Sequence, residues 1–392
     1  MKKGNKAVES LVEILSKIPD PRDNRGKKHS LVKILFLAIV GFLIGKNDFA
    51  NMVHCLKKQE NKLKKYIDLE NGIPSHDTFS RIMRIIDNMQ MIYAICDWFG
   101  SLIDTNGKQL IIDGKGILAA AEKNKDKRTP YIVNVIEEAS KMVLMQLKID
   151  NKENEMTGIL KVLDYIDIED TVITIDAIGT QRPIIKKIKK KKGHFVLPVK
   201  ENNEKLLGEI KLYVDEMIHS NKIKKHVEPY KDHGRNEKRT CYCIKENGCI
   251  DEKDYLHTVV KSVGKIVRER TEIMYEKDGK EKESKKSIQE VYYISDIEMS
   301  AEQMATYIRN HWEIENGLHW VLDNTFKEDR STQKKESSIE NTALIRKVAY
   351  NILRLQKNRV KSHSMEYIID EFKYDLSMIM KYLTEPVSIM DN

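Results

Sequence analysis

The chain is poor in residues that cross-link a fold or interrupt it. It has 392 residues, with 5 cysteines and 8 prolines, and aromatic side chains make up 7%. An odd number of cysteines without paired spacing argues against a disulfide framework. Cys241 and Cys243 stand in an apparent strand, where C-x-C spacing is more typical of alternating faces than of a zinc site. The cysteines therefore predict neither cross-links nor a metal centre.

Long apolar runs are also missing. The longest uncharged run covers residues 34–45 and falls short of the roughly 20 residues that a membrane helix needs. No signal peptide is recognised, and no internal repeat is evident. The run predicts a buried helix of an N-terminal helical domain, and the protein is expected to be cytoplasmic.

Charge is abundant, with a basic excess. Lys and Arg number 68 against 60 for Asp and Glu, which gives a net charge of +8 and suits a polyanionic partner. The densest basic run extends from Arg182 to Lys192 and contains no acidic residue. It predicts contacts to a phosphate backbone that carry affinity rather than sequence preference, made by Lys189, Lys190, Lys191 and Lys192. A solvated helix face is the alternative interpretation.

The most informative stretch is the decapeptide HWEIENGLHW, His311 to Trp320. Residues four apart share a face of an α-helix, so His311, Glu315 and His319 are predicted to lie together. Glu315 stands one residue beyond an apolar seam of helical period, at the edge of a core. A carboxylate placed there usually has a partner, and a metal ion is one candidate. The alternative is an amphipathic helix with a glutamate at its border.

Two further acids end short, β-branched runs. Asp113 ends QLIID and Asp176 ends TVITID. Each run predicts a buried strand, and an Asp at the C-terminal end of a strand is well placed for a site at the sheet edge. A turn-capping role is the alternative for either residue. Two such Asp residues and a helical Glu suit two-metal phosphoryl transfer, because Mg2+ prefers oxygen ligands.

Several motifs run in a fixed order along most of the chain. They are IPDPRDNRGKKHSL, NGIPSHDTFSRI, LIIDGKGI, TIDAIGTQRPI, FVLPVKENN, HGRNEKR, SVGKIVRERTE, YYISD and HWEIENGLHWVLDNTFKEDRS. Together they resemble the DDE insertion-sequence transposases of the H-repeat-associated group. The resemblance implies a catalytic triad of Asp113, Asp176 and Glu315 that holds two Mg2+ ions, with Mn2+ expected to substitute. Glu313 is the competing acid, although the helix face favours Glu315.

The chain departs from the wider transposase pattern around this glutamate. Many relatives have a Tyr and an Arg before the Glu and a Lys after it, where this chain has Ile308, His311 and Leu322. His311 and His319 are expected to replace the missing DNA contacts or to position the substrate. The H-repeat group resembles this His-containing version, so the departure does not indicate inactivation.

The order of strand and helix patterns matches a ribonuclease H-like α/β core with a mixed five-stranded sheet. Strand patterns cover residues 109–113, 131–137, 142–149, 172–176 and 194–199, and helical patterns cover 157–166 and 181–192. The resemblance implies the same fold, with Asp113 on the central strand and Asp176 on its neighbour. Strand patterns in RTCYCI, LHTVVKSVGKIV, RTEIMY and EVYYIS predict a mostly β insertion before Glu315.

Five parts are predicted along the chain. They are an N-terminal helical, DNA-binding domain at 1–100, the first part of the catalytic core at 108–209, the mostly β insertion at 210–297, core helices carrying the Glu at 298–360, and a C-terminal tail at 361–392. In the first part, Ser75 predicts the N-cap of a helix that resembles a helix-turn-helix and exposes His76, Arg81 and Arg84 to DNA. In the insertion, His233, Arg235 and Arg239 are expected to reach DNA.

The resemblance implies a DNA transposase that cuts the ends of its insertion sequence and joins the 3′ hydroxyl ends to target DNA. Its partners would be double-stranded DNA, as terminal repeats and as target, and a second copy of the chain when two ends are synapsed in the bacterial nucleoid. Two alternatives stay open: a ribonuclease H-like DNA nuclease, and a domesticated DNA-binding protein that does not cleave. The presence of all three acids favours catalysis.

Overall fold

The computed structural model forms two compact units. The described residues are 10–25, 27–116, 131–149, 155–232, 235–245, 248–275, 281–330, 336–359 and 363–384. Unit 1 combines Met1–Thr105, Gly114–Gly158 and Ile314–Asn392, and unit 2 combines Asn106–Asp113 and Ile159–Glu313. The boundaries of the five predicted parts stay a prediction.

The first segment of unit 1 is helical. Its helices are α1 (Leu11–Ser16), α2 (Leu31–Leu43), α3 (Phe49–Lys58), α4 (Glu60–Leu63), α5 (His76–Ile85) and α6 (Asn88–Leu102). Side chains of five N-cap residues accept backbone hydrogen bonds in the first turn, namely Ser10, Ser30, Asp48, Ser75 and Asp87. Helix α2 is buried along its length, as its apolar run predicts. None of the helices in the described ranges is long and apolar enough to cross a membrane.

The last segment of unit 1 is also helical. It contains a π-helical turn (Glu315–His319), α12 (Trp320–Asn324), a 3-10 turn (Glu328–Arg330), α13 (Glu336–Arg359), α14 (Met365–Tyr374) and α15 (Leu376–Thr384). Helix α13 packs against α2 and α5, and its Asn341 donates to the carbonyls of Met83 and Ile86, each at 3.1 Å. The predicted C-terminal tail therefore contains two helices.

Nine strands occur in the described residues. They are β1 (Gln109–Gly116), β2 (Tyr131–Glu137), β3 (Met142–Ile149), β4 (Val172–Thr174), β5 (His194–Val199), β6 (Lys224–Asp232), β7 (Arg235–Ile244), β8 (Ser262–Tyr275) and β9 (Glu281–Ser295). Strand β1 belongs to both units, because the division falls between Asp113 and Gly114. The strand order is β3-β2-β1 in unit 1 and β1-β4-β5-β9-β8-β7-β6 in unit 2.

The predicted core elements are confirmed. Strands β1, β4 and β5 run parallel, and β2 and β3 are antiparallel. The two predicted helices are α7 (Glu155–Tyr165) and α8 (Arg182–Lys190). The result is the mixed α/β sheet with ribonuclease H-like strand order that the sequence predicts. In unit 2, α11 (Ala301–Ile314) buries Met304, Ala305 and Ile308 against the sheet.

The insertion is mostly β, with one correction. Strands β7, β8 and β9 are confirmed, whereas α9 (Glu204–His219) and β6 were not predicted. The LHTVV segment predicted as a strand is instead part of a short helix, α10 (Tyr255–Val259). The helix forms for a local reason, because the Asp254 side chain caps its first turn by accepting from the Leu256 N–H at 2.9 Å.

Candidate active site

Asp113 and Asp176, the Asp pair, lie near the C-terminal ends of two adjacent parallel strands. In the register of β1 and β4, Ile111 stands opposite Thr174, the last pair between these strands. Asp113 is still within β1, whereas β4 ends at Thr174, two residues earlier than the predicted strand 172–176, and Asp176 follows it. Each Asp thus lies two residues beyond the last pair, towards the C-terminal edge of the parallel strands. Asp113 is half-buried and Asp176 is exposed.

Asp176 also caps a turn, which was the alternative interpretation of its position. One carboxylate oxygen accepts a hydrogen bond from the Ile178 N–H at 3.1 Å, at the start of a 3-10 turn (Ala177–Gly179). The cap fixes the backbone of Asp176 and leaves the carboxylate accessible to solvent. The turn-capping interpretation is therefore correct without displacing the functional one.

Helix α11 is tied to β1 and β4 by hydrogen bonds among amide, hydroxyl and imidazole groups. The Gln109 amide on β1 donates to Thr174 Oγ1 on β4 at 3.1 Å and to the Tyr307 carbonyl on α11 at 2.9 Å. From the helix, Asn310 Nδ2 donates to Gln109 Oε1 at 3.0 Å, and His311 Nδ1 lies 3.1 Å from Thr174 Oγ1. These bonds, named the neutral network for their amide and hydroxyl groups, fix the last turns of α11. No sequence pattern indicated Gln109, Thr174 or Asn310.

The helical winding changes at Glu315. Helix α11 ends at Ile314, and Glu315–His319 continue as a π-helix. Because a π-helix bonds residue i to i+5, the predicted common face of Glu315 and His319 does not continue through this turn. The side chain of Glu315 lies outside the described residues, so the convergence of three carboxylates stays a prediction. Within the described ranges, no group of three His, Cys, Asp or Glu side chains could hold a metal ion.

Trp312, three residues before Glu315, is held by arginines of the insertion. The guanidinium carbons of Arg239 and Arg268 lie 5.6 and 5.8 Å from its ring centroid. Glu237 bridges both arginines, at 2.5 Å from Arg239 Nε and 2.8 Å from Arg268 Nη2. Burial raises the pKa of Glu237, but its hydrogen bonds to the two arginines outweigh burial and lower it. Arg239, predicted to contact DNA, thus has partners inside unit 2.

Glu313, the competing acid, lies on α11 with about half of its side chain exposed, 51%, and 4.0 Å from Arg309 Nε. Arg309 in turn pairs with Glu228 of β6 at 2.7 Å. Glu313 is therefore part of a surface row of charges that joins α11 to the insertion.

A buried charge cluster occupies unit 1. Its members are Lys115, Asp323, Glu328, Arg346 and Lys347. Glu328 is 1% exposed and lies 3.2 Å from Lys115 Nζ and 3.5 Å from Lys347 Nζ, and Lys115 also pairs with Asp323. Burial raises the pKa of Glu328, but attraction by Lys347, Lys115 and Arg346 outweighs it and lowers the pKa to about 2. No sequence pattern indicated this cluster.

Helix α5 presents its predicted DNA contacts to solvent. His76, Arg81 and Arg84 are exposed, and the apolar face of the helix is buried. The Ser75 side chain accepts from the Thr78 N–H at 3.3 Å, which confirms the predicted cap. DNA binding by this helix stays a prediction.

Most of the basic run on α8 has internal partners. Lys189 pairs with Asp296, and Lys192 lies 2.6 Å from Glu169. Lys191 donates to carbonyls at the end of α7, including that of Leu163 at 2.6 Å. Lys190 is exposed. The run is therefore only partly a solvated face, and Lys190 is its best placed residue for a phosphate contact.

Four other residues of the insertion were singled out from the sequence. His233 lies outside the described residues, and Arg235 begins β7. Cys241 and Cys243 are buried, and Cys243 Sγ lies 3.4 Å from the Met299 carbonyl. Burial raises the pKa of the Cys243 thiol to about 12. Both cysteines lie in β7, the strand that their spacing indicates, and both are buried in the core.

Known proteins resemble this chain along most of its length. A solved structure of a piggyBac transposase synaptic complex with hairpin DNA aligns over 99% of the chain and 84% of its own, with a TM-score of 0.45 and 14% identity. "Putative transposase YncI" of Escherichia coli O157:H7 is 33% identical over 89% of the chain and 88% of its own length. "H repeat-associated putative transposase YhhI" of Escherichia coli strain K12 is 31% identical over 89% and 92%.

Family models cover both halves of the chain. The model described as DDE_Tnp_1-associated matches residues 12–99. The model described as Transposase DDE domain matches residues 105–352, which include both strands of the Asp pair and the segment that follows α11. The chain therefore belongs to the DDE transposase family, as its motifs predict.

Proposed function

We propose that this chain is a DNA transposase that cuts the ends of its insertion sequence and joins the 3′ hydroxyl ends to target DNA. The observation that carries the proposal is the Asp pair, in which each Asp lies two residues beyond the last paired residues of two adjacent parallel strands, in a chain of the DDE transposase family. Relatives that cover most of the chain are named as transposases. The DNA substrates are terminal repeats and target, and synapsis of two ends brings two copies of the chain together.

Asp113, Asp176 and Glu315 are the residues that we assign to catalysis and to binding two Mg2+ ions, for which Mn2+ substitutes. The donor set fits, because all three side chains offer carboxylate oxygens, which hard cations prefer. Asp113 is half-buried and Asp176 is exposed, so the pair lies at the protein surface with access to solvent. When bound, such ions lower the pKa of water and stabilise a leaving oxygen.

The two reactions have the same form. In cutting, a water oxygen attacks the phosphorus at the end of the element, and the bond from that phosphorus to the 3′ oxygen breaks. This leaves a 3′ hydroxyl and a 5′ phosphate. In joining, the 3′ oxygen attacks a target phosphorus and displaces the target's own 3′ oxygen. Since both are attacks on a phosphodiester, one set of carboxylates serves both.

DNA contacts are assigned to surfaces outside the Asp pair. His76, Arg81 and Arg84 on α5 are exposed for end recognition, and Lys190 is exposed for phosphate. For His311, the bond to Thr174 supports a role inside the protein, in holding α11. A DNA contact of His319 remains part of the proposal.

Cleavage of DNA that carries the element's ends tests this function. The full-length protein is incubated with Mg2+, and products are mapped at nucleotide resolution. Asp113→Asn and Asp176→Asn should lose cutting and joining while end binding persists. Asp97→Asn changes an exposed acid on α6 and should react like the wild type.

Three results would contradict the proposal. Magnesium-dependent cutting by Asp113→Asn would remove this residue from the site. Cutting by the wild type without any joining would favour a nuclease. End binding by the wild type without any cutting would favour a DNA-binding protein that does not cleave.

A further inference from the structure

We propose that Lys115 is a positioning residue that fixes the chain leaving Glu315 to strand β1. This inference rests on the proposed function, since it concerns how the metal-binding carboxylates are held. Lys115 stands two residues beyond Asp113, on the same face of β1. Its side chain is 11% exposed, and its ammonium group pairs with Asp323 and, at 3.2 Å, with Glu328.

Both partners follow Glu315 in the chain. Asp323 lies in α12, directly after the π-helical turn that begins at Glu315, and Glu328 begins the 3-10 turn beyond it. A single lysine therefore joins the strand that carries one assigned ligand to two points of the segment that follows another. Charge-assisted hydrogen bonds from a buried ammonium are stronger and less screened by salt than those at a surface.

Other contacts keep this segment folded without Lys115. Asn47 Nδ2 donates to the Thr325 carbonyl at 3.1 Å, Phe326 is 1% exposed, and Lys347 of α13 lies 3.5 Å from Glu328. Asn47 lies between α2 and α3 and Lys347 lies on α13, both in unit 1, whereas Lys115 is the member of the charge cluster that lies on β1. Loss of Lys115 should therefore alter the position of residues 320–330 rather than unfold them.

A purely structural ion pair is the alternative, and the chain offers a matched control. Lys148 on β3 pairs with Glu340 on α13 at 2.7 Å, with side chains 11% and 13% exposed. Lys115 and Lys148 thus have equal exposure, lie on strands and belong to unit 1. Only the Lys115 pair involves the segment that follows Glu315. Lys115→Met and Lys148→Met should cost comparable stability but differ at the proposed site.

The experiment compares these two variants and Lys115→Arg with the wild type, all as full-length protein. The first readout is hydrogen exchange of residues 320–330 without metal or DNA, where only Lys115→Met should lose protection. The second is Mn2+ binding measured by calorimetry, which needs no activity. The third is the Mg2+ concentration that gives half-maximal cleavage.

Lys115→Met should weaken Mn2+ binding and raise the half-saturating Mg2+ concentration by roughly tenfold, since residues that orient metal ligands typically affect affinity to this extent. Lys148→Met should leave both values unchanged, and Lys115→Arg should restore most of the loss. If Lys115→Met does not fold, Asp323→Asn removes one partner of Lys115 at a site with 31% side-chain exposure and should show the same shift at smaller size.

The outcomes separate the two proposals. A wild type that neither binds Mn2+ nor cleaves DNA overturns the proposed function and this inference with it. A wild type that does both, with Lys115→Met indistinguishable from Lys148→Met in exchange and metal dependence, overturns the positioning role alone.

Discussion

The chain that enters Glu315 and the chain that leaves it are held by different chemistry. Before Glu315, α11 is fixed in unit 2 by the neutral network of Gln109, Thr174, Asn310 and His311. After Glu315, the segment of α12 and the 3-10 turn is fixed in unit 1 by the buried charge cluster around Glu328. Each hydrogen bond of the neutral network contributes only about 1 kcal/mol to the free energy of unfolding. The charge cluster is strong only while every member keeps its charge.

The contacts before and after Glu315 should respond differently to pH. Neutral amide and hydroxyl hydrogen bonds respond little to pH, whereas a buried carboxylate facing several cations depends on staying ionised. Acid should therefore loosen the chain that leaves Glu315 as the Glu328 carboxylate is protonated, below its ordinary pKa of 4.5. The chains on the two sides of Glu315 are then expected to lose their contacts under different conditions.

The largest effect is expected from removing the charge of Glu328. Glu328→Gln leaves Lys115 and Lys347 without the carboxylate that both face. Breaking a buried ion pair from one side costs about 3–5 kcal/mol of the free energy of unfolding. Urea unfolding at pH 7 measures it, with Glu366→Gln on α14 as an exposed control expected within about 0.5 kcal/mol of the wild type. A loss no greater than that of the control would show that the cluster does not depend on Glu328.

A pH series sharpens the comparison. The pKa of Glu328 is lowered from its ordinary 4.5 to about 2 in the folded protein. A lowered folded-state pKa contributes stability that is fully present above pH 4.5 and is lost as pH falls towards 2. The stability difference between wild type and Glu328→Gln should therefore shrink over this window. A difference that stays constant down to pH 2 would contradict the lowered pKa.

The sequence predicted the core strands closely because their signals are local. The patterns at 131–137, 142–149 and 194–199 coincide with β2, β3 and β5, where apolar runs are bounded by turn residues. The Asp pair was found by the same logic, since an acid at the end of such a run is conspicuous. At Tyr255–Val259 the rule failed, because an Asp cap started a helix in a β-branched stretch.

The contacts that hold these elements were not predictable in the same way. Lys115 and Glu328 each lie in a motif of the family, but they are far apart in sequence and nothing in either motif indicates that they pair. The basic run on α8 has the same limit, because its sequence gives no sign that Lys189 pairs with Asp296. The π-helical turn at Glu315 is likewise invisible to a period of 3.6 residues. Sequence periodicity therefore predicts helices and strands, whereas side-chain pairs that are distant in sequence become known only from the folded structure.

A smaller effect is expected from the neutral network. Thr174→Val removes the oxygen that accepts from Gln109 and lies near His311, and it changes the side-chain volume little. Leaving buried polar groups without a partner should cost about 1–3 kcal/mol of the free energy of unfolding at pH 7. Hydrogen exchange should rise in the last turns of α11. Thr174→Ser keeps the hydroxyl and is the control. A loss no greater than that of Thr174→Ser would show that α11 does not depend on this network.

The smallest change in stability is expected at Lys190, and it separates charges that serve the fold from charges that serve DNA. Lys190 is exposed on α8, so Lys190→Gln should stay within about 0.5 kcal/mol of wild-type stability. If Lys190 contacts phosphate, the slope of log affinity against log salt should fall by about 1, for terminal-repeat and random DNA alike. Lys191→Gln is the matched variant, because Lys191 donates to carbonyls at the end of α7. It should lose about 1 kcal/mol of stability and leave the salt slope unchanged. A selective loss of terminal-repeat binding in Lys190→Gln would assign this residue to sequence recognition instead.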